Sequence, residues 1–268
     1  MAIITISRGS QSRGKEVAEK VAERLRYACI SREILLDASE QFSIPELKLQ
    51  RAIHDAPSIL DRFTYGKEKY IAYIQAALLK CLKDDKVVYH GLAGHFFLQG
   101  ISHVLKVRII VDLENRLRLE MEREGVTREE ALRTLKKEDE QRHQWSRALY
   151  GIDTRDPSLY DLVIRIKKIS VQDVVEIICH AAQLPSFATT ASSRKAMDDR
   201  CLAAQVKAAI VHISPSALVS ADGGRITITV KAPPDAFPGG NNLALIAGSV
   251  RGVEAVTIDH LPLRQFDE

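Results

Sequence analysis

The sequence predicts an α/β fold built on a parallel sheet, followed by a smaller α+β module of order αββαβ. Three observations carry this. Short β-branched apolar runs alternate with stretches of helical periodicity from residue 2 to about residue 182, the pattern of parallel strands joined by helices. The first run leads through a glycine-bearing loop into a helix, the setting of a phosphate-binding loop. After Pro185 the composition turns to Ser, Thr and Ala, and beyond it two alternating runs meet at Asp222-Gly223-Gly224, a hairpin signal.

Taken in order, Ala2–Ile6 is short, apolar and β-branched, which suits a buried parallel strand. Val17, Ala18, Val21, Ala22 and Leu25 then share one helical face. Residues Ile34–Leu82 read as mostly helical, with Ser43 as a candidate cap two residues before Pro45. Lys86–Gly91 and Leu105–Leu113 are the second and third strand candidates. Thr127-Arg128-Glu129-Glu130 is a capping box that starts a helix running to about Trp145. Tyr160–Ile166 is a fourth strand and Ser170–Ala182 a closing helix. Pro185–Asp199 reads as a linker. Beyond it come a helix from Arg200 to about His212, the hairpin, a helix over Asn241–Val250 and a strand over Val253–Leu261. The expected organisation is a domain at 1–184, a linker at 185–199 and a single, unrepeated module at 200–268.

Composition excludes some classes. A net charge of +3 spread along the chain points to no nucleic-acid or membrane partner. The four cysteines, Cys29, Cys81, Cys179 and Cys201, contain no C-x-x-C pair, so neither a zinc knuckle nor a thioredoxin-type motif is expected. No leader pattern and no apolar run near ~20 residues is visible, so the expected location is the cytoplasm.

The candidate nucleotide site is Gly9-Ser10-Gln11-Ser12-Arg13-Gly14-Lys15-Glu16. Backbone N–H groups of such a loop surround phosphate oxygens at the positive end of the following helix, and Lys15 would reach the β- and γ-phosphates. A phosphate loop ordinarily continues Gly-Lys-Ser or Gly-Lys-Thr, with the hydroxyl on magnesium. Here Glu16 occupies that place. It is either a magnesium ligand or an ordinary first-turn acid favoured by the helix dipole. His90 and His95, five apart, share neither a helical nor a strand face, and two histidines fall short of a zinc site, so no metal centre is expected. His90 would end a strand, where it either contacts a phosphate or packs as a neutral ring.

Ile4–Leu25 with Cys29–Leu35, and Arg147–Ile178, resemble the cytidylate kinase-like family of P-loop nucleoside monophosphate kinases, over roughly residues 1–183. Members often read Ile-Ser-Arg, a Gly/Ser-rich loop, then a basic residue followed by Glu, which makes Glu16 a family trait. The resemblance implies a three-layer P-loop kinase, ATP with Mg2+ as donor, and a pyrimidine monophosphate, CMP or dCMP, as acceptor. It implies that Lys15 binds donor phosphates and that Arg32 lies near the acceptor phosphate; the candidate substrate-binding residues are Arg32, His90 and Gly91. It also implies that Arg133, Lys137, Asp139 and Arg142 form a charged lid, and the candidate catalytic residues are Lys15, Arg133 and Arg142. The alternative for that helix is a solvated charged face. One departure is plain: the family's Asp-Gly-Arg or Val-Gly-Arg after the middle strand is here His90-Gly91-Leu92, without acid or arginine. That leaves two functions open, an enzyme or a nucleotide sensor. The C-terminal module resembles a BON domain, with Gly252-Val253 before Val256 matching its close. This implies a lipid or other small-molecule ligand and a regulatory or docking role. The sequence carries no signal of oligomeric state.

Overall fold

A computed structural model of the chain describes residues 2–9, 12–31, 66–91, 94–230 and 240–261. The chain divides into two compact units. The described parts of the first lie within Met1–Ile34 and Asp84–Ser193, and those of the second within Ser58–Lys83 and Arg194–Glu268.

The first unit is built on a five-stranded parallel sheet. Its strands are β1 (Ile3–Arg8), β2 (Ala28–Ile30), β3 (Val87–His90), β4 (Val104–Val111) and β5 (Leu162–Ile166), in the order β2-β3-β1-β4-β5. β1 is central, with Ile4 opposite Val88 on one side and Leu105 on the other. It is buried along nearly its whole length, which is why it reads as a continuous apolar run rather than an alternating one. One face of the sheet is closed by α1 (Gly14–Leu25) and α6 (Val171–Ala182). There Ile4, Ile6, Val107 and Ile109 meet Val17 and Val21 of α1 and Val174 and Ile178 of α6. Period-two alternation sends Thr5, Ser7, Tyr89 and Arg108 to the opposite face. The short helix α3 (Gly94–Phe97) lies on that side, and Phe96 and Phe97 stack at 5.2 and 5.6 Å on Tyr150, the last residue of α5 (Arg128–Tyr150). α5 packs on α4 (Leu113–Glu124) through Leu117, Ala131 and Leu135.

The second unit contains α2 (Gly66–Leu82), α7 (Ala191–Ile210), β6 (Leu218–Asp222), β7 (Arg225–Val230), α8 (Gly240–Gly248) and β8 (Ala255–His260). β7 pairs antiparallel with β6 and parallel with β8. Ile226, Ile228 and Val230 form the core with Val206 and Ile210 of α7 and Leu243 and Ala247 of α8. α2, which the chain order puts between β2 and β3 of the first sheet, groups with these C-terminal elements. It runs antiparallel to α7. The Lys83 carbonyl accepts from Arg194 Nη1 at 2.6 Å, Lys83 Nζ is 3.4 Å from Asp198, and near the other end Tyr73 Oη is 2.5 Å from His212 Nε2.

Several expectations need adjusting. The stretch expected as a linker forms a 3-10 turn at Pro185–Phe187 and then the start of α7, which begins at Ala191 rather than Arg200. Thr190 and Ser193 exchange backbone-to-side-chain bonds of 3.0 and 3.1 Å, and this reciprocal cap starts the helix inside the Ser/Thr-rich run. β2, α3 and α4 have no counterpart in the sequence-based assignment. β2 has only three residues, and in α4 only Leu117 and Glu120 are buried, so neither shows a usable period. Arg32, Ser43, Ser10 and Gln11 lie outside the described residues. Among the described residues no helix is long and apolar enough to cross a membrane.

Candidate active site

The chain leaves β1 at Arg8 and enters α1 at Gly14, with Arg13 as the cap residue at φ 56°, in the left-handed region. A β-carbon on Gly14 would lie 2.7 Å from the Cβ and Cδ of Arg8, so only glycine lets the helix start this close to the strand end. Ser12 is buried and its hydroxyl donates to the Gly9 carbonyl at 2.9 Å, closing the loop on itself. Glu16 turns to its own helix. It accepts from Arg13 Nε and Nη2 at 2.8 and 3.1 Å and from Lys20 Nζ at 3.1 Å. Partial burial raises its carboxyl, but the bonds from Arg13 and Lys20 outweigh this and hold it below the usual carboxylate range. Lys15 is exposed, its Nζ 3.6 Å from Glu19.

Beside this loop lies a cavity of about 340 Å³. Ser7, Arg8, Gly9 and Ser12 form one wall, and the C-terminal half of β4 with Arg116 of α4 forms another. α5 contributes a face that includes Lys136, Asp139, Arg142 and His143, and the turn before β5 contributes Thr154 and Arg155. Six cationic residues (Arg8, Arg108, Arg116, Lys136, Arg142 and Arg155) line the cavity against two acidic ones, Asp139 and Glu140, so it suits an anion. Asp139 is already committed, as it accepts from both Nη atoms of Arg116 at 2.7 and 2.8 Å. Arg142 Nη1 lies 3.5 Å from the carbonyl of Arg8, so α5 reaches across to where the loop leaves β1.

Under the cavity sits a polar and aromatic layer. Tyr160 Oη lies 2.9 Å from the Thr154 carbonyl and 3.2 Å from Ser7 Oγ. Arg108 Nη1 donates to the same carbonyl and, at 3.3 Å, to Tyr160 Oη. The His95 ring packs against Phe96 at 4.0 Å and Tyr160 at 4.8 Å. Burial, and then the positive charges of Arg108 and Lys106, pull the His95 imidazole down to about 3. In the turn before β5, Asp153 accepts from the Arg155 backbone N–H and from its guanidinium. These bonds hold the Asp153 carboxyl far below the usual range.

The structure brings Gly9, Ser12, Asp139 and Arg142 together at the cavity. Lys15, Arg133 and Lys137 are exposed and do not line it. His90 is buried at the C-terminal end of β3, and Gly91 follows it, where a β-carbon would meet the Tyr89 hydroxyl at 2.5 Å. Sequence reasoning missed Arg108, Arg116 and Arg155. The available signals were an arginine inside the apolar run of β4 and one flanked by two aspartates in Asp153-Thr154-Arg155-Asp156. Among the described residues no three His, Cys, Asp or Glu side chains group as a metal site.

The sequence profile of the cytidylate kinase-like family matches residues 3–168. The chain is 30% identical over 186 residues to a cytidylate kinase of Archaeoglobus fulgidus, covering 68% of this chain and 94% of that protein. It is 33% identical over 102 residues to a cytidylate kinase of Pyrobaculum arsenaticum, covering 35% of this chain and 55% of that one. A crystal structure of an uncharacterized protein from Eubacterium ventriosum superposes with a TM-score of 0.53 at 23% identity, over 68% of this chain and 98% of the other, which is a likeness of fold. The profile match begins in the first strand and ends just past the fifth, enclosing the loop, the cavity and the helix that reaches over it, and on that basis the chain belongs to the cytidylate kinase-like family.

Proposed function

We propose that the first unit is a nucleoside monophosphate kinase that passes the γ-phosphate of ATP to a pyrimidine monophosphate, CMP or dCMP. The observation that carries this is Arg142 of α5 lying 3.5 Å from the last carbonyl of β1, beside a cavity rich in cations, where the phosphate loop opens. Phosphoryl transfer asks little covalent chemistry of the protein. It needs donor and acceptor oxygens placed in line, and fixed positive charge where negative charge spreads over the transferring group. The N-terminus of α1 and the loop would bind the donor phosphates, with Lys15 swinging from Glu19 to reach them. Arg142 would stabilise the transferring group from above. Arg133 would take part only if α5 moved to bring it over the cavity.

Magnesium does not fit the protein groups present as a directly ligated ion. Glu16 is occupied by Arg13 and Lys20, Asp139 by Arg116, and Glu140 accepts from Gln144 Nε2 at 2.8 Å. An ion accompanying ATP would be held by the donor's phosphates and water. Arg32, His90 and Gly91 are proposed on the acceptor side. Residues 200–268 are proposed as a BON-like regulatory or docking domain that takes a lipid or small-molecule ligand. A second reading, a nucleotide sensor with weak transfer, is favoured by one observation, the replacement of the family's acid and arginine by His90 and Leu92.

A transfer assay with ATP–Mg and a panel of nucleoside monophosphates separates the two. The kinase should phosphorylate CMP or dCMP, and Lys15→Ala should lower the rate by about a hundredfold or more. Tight ATP binding with no acceptor phosphorylated would leave the sensor standing and remove the kinase.

A further inference from the structure

We propose that Arg108 and Arg155 together hold the phosphate of the acceptor, in place of the arginine that the sequence lacks after β3, and that Asp153 is the positioning residue that aims Arg155. This rests on the kinase function proposed above.

Both residues line the cavity, and both guanidinium groups are only partly used. Arg108 spends Nη1 on the Thr154 carbonyl and Tyr160 Oη. Arg155 spends Nε and Nη2 on Asp153 and Nη2 again on His143. A guanidinium carries five N–H donors. Among the described residues, Nε and Nη2 of Arg108 and Nη1 of Arg155 make no hydrogen bond. The two side chains are tied to one short piece of backbone, since the carbonyl that anchors Arg108 belongs to Thr154 and the next residue is Arg155.

Asp153 fixes the direction of Arg155. Its Oδ1 accepts from the Arg155 backbone N–H at 2.9 Å and from Nε at 3.1 Å, and its Oδ2 accepts from Nη2 at 3.1 Å. His143 closes the arrangement with Nε2 at 3.0 Å from Nη2. A guanidinium can only donate, so Nε2 is the acceptor and the ring proton sits on Nδ1, which lies 3.4 Å from Asp153 Oδ1. With the Nε–Nη2 edge held on both sides, the Nη1 end is the part left to meet a ligand. Two arginines with spare donors, one already immobilised, match the several oxygens and double charge of a phosphate monoester, and give little to a neutral nucleoside.

Calorimetric titration of the full chain with CMP, cytidine, ATP and inorganic phosphate, with steady-state transfer kinetics alongside, tests this in the wild type, Arg108→Met, Arg155→Ala, Arg155→Lys and Asp153→Asn. Thermal melts confirm that each variant folds. Arg108→Met and Arg155→Ala should weaken CMP by about tenfold to a hundredfold, with ATP and cytidine unchanged. Arg155→Lys should recover part of the loss. Asp153→Asn should raise the acceptor KM several-fold with a smaller change in kcat, a split that a merely structural role would not produce. If CMP binds the wild type and both arginine variants equally, the cradle is wrong and the kinase function stands. If no monophosphate binds the wild type, the acceptor assignment fails by itself and inorganic phosphate decides the cradle. Weaker phosphate binding in both arginine variants supports it, and equal binding or none overturns it.

Discussion

His95 shows how much a single side chain can be made to carry. It is 3% exposed, lies between two aromatic rings beside Arg108, and its Nε2 has no hydrogen-bond partner among the described residues. Its folded value of about 3 is far below the ~6.5 of a free imidazole. Between those two values the unfolded chain binds a proton that the native chain refuses, so stability from this group is complete above about pH 6.5 and is lost as pH falls toward 3. Taking the wild type from pH 7.5 to pH 5 should cost about 2 kcal/mol through His95. Denaturant melts of the wild type and His95→Gln at the two pH values check this. An equal loss in both proteins would show that His95 is not the buried neutral group described. At this scale the sequence displayed the glycine-bearing loop between β1 and α1, because Gly9, Gly14 and Lys15 lie close together in the chain. It did not display the cavity wall, because Arg108 and Arg155 are brought together only by the pairing of β4 with β5 and by the turn that precedes β5.

Among the elements, the two helix starts with capping boxes, at Thr127 and Ser170, were readable, whereas the start of α7 was not. The Thr127 capping box forms as its residues require, with Glu130 N–H donating to Thr127 Oγ1 at 3.4 Å and Thr127 N–H donating to Glu130 Oε2 at 2.9 Å. Ser170 and Asp173 repeat the arrangement on α6. Thr127→Ala should cost about 1 kcal/mol, seen as a lower midpoint in denaturant melts, and should loosen the first turn of the helix that carries Arg142. An unchanged midpoint would mean that the tertiary contacts of Ala131 and Leu135 alone hold that end. Elements without a local signal were invisible for a physical reason. β2 exists because β3 offers it hydrogen bonds, and α4 because α5 covers Leu117, so neither is encoded in its own periodicity.

Across the whole molecule, the order of the chain and the grouping of contacts part company at α2. The sequence placed the parallel sheet and the C-terminal αββαβ order correctly, yet it gave no sign that a helix between the second and third strands would group with that module, since such a contact is non-local. Nine residues of α2 are buried, among them Tyr70, Tyr73, Leu78 and Leu79. A chain stopped at Leu184 keeps α2 but loses α7 and His212, which meet it. It should be recovered largely as aggregate, or as a folded species with a markedly lower melting midpoint, in size-exclusion and thermal measurements. A monodisperse product melting like the full chain would refute this.

The grouping of α2 with C-terminal elements also sets a timetable. A ribosome adds roughly 5–20 residues each second, so the stretch of about 110 residues between the end of α2 and Arg194 takes on the order of 5–20 s to emerge. For that interval the greasy helix is in the cell without α7. The nascent protein therefore cannot finish its first half before beginning its second, and holding factors that shield apolar helices during synthesis should matter more to its yield than to that of a kinase whose N-terminal domain closes on itself.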